Sequence, residues 1–146
     1  MIEAKGIQQV QQALKELDDK VSRSILRKGL RQGAKVVLAA AKADAPERTG
    51  RLKRNLKVRN KKGGKGKAAL SVGAAAKDFT GEAFYSSFIE YGYSTRPSVT
   101  GKNAIRKKIP GQHFLKKAFE QTGEQAISTT IESWQQQIED ATQGAK

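Results

Sequence analysis

The sequence predicts a mixed helix-and-strand chain dominated by two long helices. Three observations carry this expectation. Apolar residues recur at three- and four-residue intervals before residue 45 and again after residue 112. Between these regions, two short alternating runs flank a glycine- and lysine-rich stretch, the pattern of a β-hairpin. Pro46 closes the first helical region, because the residue before a proline is pushed out of the helical conformation.

The elements follow in order. Ile7, Val10, Leu14 and Leu17 are spaced for an amphipathic helix of about three turns. Asp18-Asp19 breaks it, and Asp19 is suited to cap the next helix. The second helix is expected from Lys20 to Ala45, with Val21, Ile25, Leu30, Val37 and Ala41 near one face. At ~1.5 Å per residue it would be about 39 Å long. Gly29 and Gly33 fall inside it, four apart. Two readings stay open: a break between shorter helices, or a smooth face where another backbone comes close. Each glycine costs about 1 kcal/mol relative to alanine, so the second reading requires a packing gain.

Residues 52–60 and 68–75 read as two strands, joined by a basic hairpin loop over 60–67. Residues 76–83 read as a loop. Phe84 to Tyr91 suits either a short helix or a strand. Residues 93–111 read as a long loop, ending in a strand that contains Ile105 and Ile109. The last helix is expected from Gln112 to Thr142. Its apolar stripe includes Leu115, Ala118, Phe119, Ala126, Ile127, Ile131, Trp134 and Ile138. Thr122-Gly123-Glu124-Gln125 fits a capping box, which leaves a break at Gly123 open. Residues 142–146 should fray.

The chain has 146 residues, which suggests a single domain, 1–146. Hydrophobic residues make up 37%, so the core should be thin. A thin core often leaves apolar surface to be buried against other chains. No cysteine is present, which excludes disulfides and thiolate metal sites. The longest apolar run, Val36 to Ala41, is far too short to span a bilayer, and residues 1–5 lack the apolar segment of a signal peptide. No membrane partner is expected, and folding is expected in a cytoplasm.

The net charge is +14, and residues 47–67 alone hold 10 basic and 1 acidic side chains. Such a block repels itself and favours water or a polyanionic partner. Arg51, Lys53, Arg54, Lys57, Arg59, Lys61, Lys62, Lys65 and Lys67 could track phosphates. On a strand only half of such residues would point the same way. No base-reading motif accompanies them. Arg59, Lys61, Lys62, Lys65 and Lys67 are the candidate contacts to a partner or to DNA.

Catalysis fails on inventory. His113 is the only histidine and precedes Phe114 at a helix start. The acidic pairs Asp18-Asp19 and Glu139-Asp140 sit near helix ends as solvated charges. Lys61 to Lys67 lacks the leading glycine and trailing Ser/Thr of a phosphate loop. No catalytic residue, cofactor or metal is expected. The aromatics Phe84, Tyr85, Phe88, Tyr91 and Tyr93 suit core and subunit contacts better than base stacking. Glu90 is either exposed or paired with a basic neighbour such as Arg96. Trp134 lies on the apolar stripe, which suits core packing.

Three signatures stand in a fixed order. Ala45-Pro46-Glu47-Arg48-Thr49-Gly50-Arg51-Leu52 ends a long helix, Tyr85 to Gly92 holds Ile89-Glu90-Tyr91-Gly92, and Phe114-Leu115 opens the last helix. Together they resemble the tail-completion, or neck, proteins of long-tailed bacteriophages, over roughly residues 7–135. The resemblance rests on Pro46, Thr49, Gly50, Leu52, Glu90, Gly92, Phe114 and Leu115. One departure is His113, where that family usually has a proline. The resemblance implies an α+β fold: long helices packed on a small antiparallel β-sheet, with a long C-terminal helix. It also implies a homo-oligomeric ring, sixfold, at the head–tail junction of the virion. The ring would join the head-side connector to the tail terminator or tail-tube proteins, with DNA passing through its lumen. The alternatives are a tail-terminator ring capping the tube, or a non-sequence-specific nucleic-acid-binding protein.

Overall fold

Two long helices lie side by side and carry everything else. The computed structural model describes residues 6–47, 50–64, 67–74, 85–95 and 106–144. Helix α1 spans Ile7–Lys15 and α2 spans Asp19–Asp44. Between them the Ser22 hydroxyl donates to the Leu14 carbonyl at 2.8 Å, tying the end of α1 to the start of α2. The cap of α2 is Asp18 rather than the expected Asp19. Asp18 is in extended conformation and its carboxylate accepts from the Lys20 amide at 2.8 Å. Asp19 is instead the first helical residue, where its charge complements the positive end of the helix.

α2 runs without a break through both glycines, which decides between the two readings. The last helix, α5 (Phe114–Gln143), packs along α2. Gly29 lies beneath the indole of Trp134, whose Nε1 donates to the Leu26 carbonyl at 3.2 Å. Gly33 lies against Thr130 and the Ala126 backbone. A Cβ at either position would overlap these neighbours. The missing methyl groups therefore set the approach of the two helices. α5 is also continuous through the buried Gly123. The Thr122 hydroxyl donates back to the Ala118 carbonyl at 2.7 Å, as in a helix interior, and caps nothing. Thr142 and Gln143, expected to fray, remain helical; residues 145–146 lie outside the described residues.

Residues 52–55, expected as the start of a strand, belong to a short helix, α3 (Arg51–Asn55). Leu52 and Leu56 are four apart, a helical spacing, and both are buried. Strand β1 (Leu56–Lys61) pairs antiparallel with β2 (Ala69–Ala74), in the register Leu56 to Ala74 and Lys61 to Ala69. Asn60 and Lys61 thus belong to the strand and not to the expected loop. The loop expected at 76–83 lies outside the described residues. The ambiguous aromatic stretch is helical from Ser86 to Tyr91 (α4). The stretch expected as a loop from 93 has paired ends: β3 (Gly92–Ser94) is antiparallel to β4 (Lys108–Pro110). Three-residue strands are too short to show a period in sequence. Ile109 lies in β4, while Ile105 is outside the described residues.

The architecture is α+β. Its main core is small: Ala41 and Ala45 from the end of α2, Leu52 and Leu56, and Phe114 and Ala118 from the start of α5. Leu38, Ile89 and Leu115 pack around it.

Gly33→Ala should destabilise the chain by about 2 kcal/mol in urea unfolding, despite the better helix propensity of alanine, because the helix pair must open. Gly64→Ala, with open space around its Cβ, should stay within about 0.5 kcal/mol of wild type.

Candidate functional site

The three signatures meet at one joint. α5 begins with amides that have no intrahelical partner and carry the positive end of the helix dipole. Glu90, on α4, supplies the answer. Its carboxylate accepts from the Leu115 amide at 3.0 Å through Oε2 and from the Lys116 amide at 3.1 Å through Oε1. The residue is only 4% exposed. Its partner is therefore a helix N-terminus, and the residue is not exposed; Arg96, named with it as a basic neighbour, lies outside the described residues. Two main-chain bonds close the same joint: the Gln112 amide donates to the Ile89 carbonyl at 2.7 Å, and the His113 amide donates to the Glu90 carbonyl at 3.2 Å.

His113 sits at the N-cap of α5 with φ +51° and ψ +39°. Proline, whose φ is fixed near −65°, could not take this conformation. A histidine in place of the expected proline therefore has a geometric consequence. The His113 and Tyr91 rings meet in a T-shaped contact, with centroids 6.5 Å apart. Gly92 has φ +83°, and a Cβ there would collide with the Ile109 carbonyl and the Gly111 amide. A glycine is required for both reasons.

Phe114 is 1% exposed and enters the core beside Leu52, with Leu115 half-buried next to it. Pro46 follows Ala45, the last residue of the α2 cap. Gly50, at φ +68°, precedes α3. Thr49 lies outside the described residues. The Glu47 carboxylate accepts from Lys53 at 2.9 Å and closes this turn.

The basic residues separate by face. Leu56 and Val58 turn towards α2, and the Asn60 side chain accepts from Arg31 of α2 at 3.0 Å. Lys57, Arg59 and Lys61 therefore occupy the opposite, exposed face of the ribbon. Lys62 and Lys67 are exposed on the turn, and Lys65 lies outside the described residues. Arg51, Lys53 and Arg54 belong to α3 and not to the strand.

Apolar surface also remains uncovered. Tyr91 is 76% exposed, and Phe88 and Tyr93 stand 5.8 Å apart at its side of the joint, each less than half exposed. Phe84 lies outside the described residues. An open groove of about 480 Å³ has a floor of Leu30, Ala34 and Val37, with Leu70 and Val72 on one wall and Ile127 on the other. Phe119, expected in the buried stripe of the last helix, stands at this groove and is largely exposed. Sequence reading missed the cap made by Glu90 and this groove. The groove's signal was a stripe on α5 wider than α2 alone could cover. Among the described residues no three His, Asp or Glu side chains converge, and no helix is long and apolar enough to cross a membrane.

Residues 8–92 match the HK97-gp10-like family model, described as "Bacteriophage HK97-gp10, putative tail-component". The match covers more than half of the chain and ends at Gly92, so Phe114 and Leu115 lie beyond it. No curated protein and no solved structure gives a significant match.

Glu90→Ala would leave the Leu115 and Lys116 amides without their acceptor and should cost about 2–3 kcal/mol in urea unfolding. Glu90→Gln keeps one acceptor oxygen but loses the charge, so its cost should be about half as large. Amide exchange at Leu115 and Lys116 should accelerate in both variants before exchange along the middle of α5.

Proposed function

Because the chain belongs to the HK97-gp10-like family of bacteriophage tail components, we propose that it is a structural protein of the virion. In this reading it forms a ring at the head–tail junction, completes the tail and joins it to the head connector, with DNA passing through the lumen. The match over residues 8–92 is the observation that carries the reading. The physical features agree with an adhesive role. The core is thin, while Tyr91, Phe119 and the α2–β2–α5 groove leave apolar surface open. These are two unlike surfaces, which suits head-to-tail contact between copies in a closed ring better than a self-complementary pair. The joint at Glu90 would hold Tyr91 in a fixed position for such contact.

Cryo-electron microscopy of intact particles tests the location. The expected result is a ring of this chain between head connector and tail tube. Density at the end of the tube would mark a terminator ring instead, and absence from the particle would overturn the virion reading. Tyr91→Ser should change the stability of the free chain by less than about 0.5 kcal/mol. It should still lower the yield of joined particles about tenfold, the scale of one lost aromatic anchor. An unchanged yield would remove Tyr91 from the interface.

A further inference from the structure

We propose that the outer face of the β1–β2 ribbon is a contact surface for the phosphate backbone of duplex DNA. Lys57, Arg59 and Lys61 alternate along β1 and share this face, fixed by Leu56 and Val58 on the other side. Residues two apart on a strand are about 6.8 Å apart. Successive phosphates of one duplex strand advance about 3.4 Å along the axis and also turn around it, so their direct separation is close to the spacing of the cations and the three cations match consecutive phosphates. None of the three forms an ion pair with a described residue.

The opposing strand explains why the partner is DNA and not an acidic protein. Lys57 faces Gly73, Arg59 faces Ser71 and Lys61 faces Ala69. Small side chains leave the row of cations standing clear, so a broad polyanion can approach it. The same face has no apolar residue larger than alanine. Protein interfaces draw their energy from buried aromatic and aliphatic anchors, and this face offers none. It also offers no paired donors and acceptors for reading base edges, so the contact is independent of sequence. Lys62 and Lys67 extend the charge beyond the end of the strands.

Where the DNA lies in the particle rests on the ring reading; the contact itself does not, and it is tested on the free full-length chain. The measurement is fluorescence anisotropy of a labelled duplex between 50 and 200 mM salt. The wild type should bind with a steep salt dependence. The variant Lys57→Thr/Arg59→Thr/Lys61→Thr should lose at least tenfold in affinity at the lower salt. Its slope of log affinity against log salt should be smaller by about 2.7, for three lost phosphates. A control with the same charge loss elsewhere, Lys15→Gln/Lys20→Gln/Lys117→Gln, should change affinity less than threefold. Arg59→Lys should retain the wild-type slope. If the triple variant unfolds by circular dichroism, Lys57→Thr and Lys61→Thr singly should each reduce the slope by about 0.9. Equal losses in the triple variant and the control would overturn the proposal, as would a wild type that does not bind. Displacement of the duplex by polyglutamate at equal charge concentration would favour an acidic protein and also overturn it. A failure here, with the chain still located in a particle ring, would remove the DNA contact and leave the proposed function standing.

Discussion

The structure depends on a buried carboxylate that holds the start of a helix. Glu90 is almost wholly removed from water, and a charge in that position is costly unless it is bonded. Two charge-assisted bonds to backbone amides satisfy it, and the dipole of a thirty-residue helix adds to them. The bond pattern fixes more than energy. It sets where α5 begins and in which direction it leaves, and Phe114 then falls into the core between α2 and α3. Gly92 and Gly111 let the backbones on either side come close enough for this geometry. Glu90-Tyr91-Gly92 and Phe114-Leu115 are therefore two halves of one joint.

From that joint α5 travels back along α2, and the contact between them is made by absent atoms. Gly29 admits an indole, and Gly33 admits a threonine and a carbonyl. Close approach of two helices compensates for a small aliphatic core, because dispersion contacts accumulate along the whole pair. The cost is that two helices cannot cover both faces of each other. α5 leaves Phe119 uncovered, and β2 leaves Leu70 and Val72 facing an open groove. Thin core and exposed apolar surface thus have the same origin.

How legible each element was in the sequence follows from the range of its determinants. The period of α2 and the stop at Pro46 are local, and both ends fall within a residue of expectation. Leu52 and Leu56 misled because an interval of four lands on one face of a strand, yet it suits a helix, which is what forms there. The continuity of α2 through its glycines could not be read locally, since what fills the space is Trp134 and Thr130, about a hundred residues away. Glu90 was hidden more deeply. Its partners are amides, which every residue possesses, so no pattern of side chains marks them. The short strand β3 escaped for lack of length, while its partner β4 was expected only through Ile109.

The basic ribbon is a part of the fold that its own stability does not explain. Like charges along one strand face repel, and folding holds them at a fixed separation that an unfolded chain could relax. A strand that only needed to be soluble could mix signs, with an acidic residue opposite each cation. The positions opposite hold Gly73, Ser71 and Ala69 instead. The ribbon is also anchored where a free loop would serve solubility as well: Leu56 is fully buried, and Arg31 holds Asn60. A rigid stem lowers the entropy that a later partner must remove on binding, since the cations are already in line. The fold therefore accepts a small electrostatic penalty in the free chain and keeps the row preorganised. A polyanion that neutralises the row removes that penalty, so assembly on DNA would stabilise the ribbon as well as bind it.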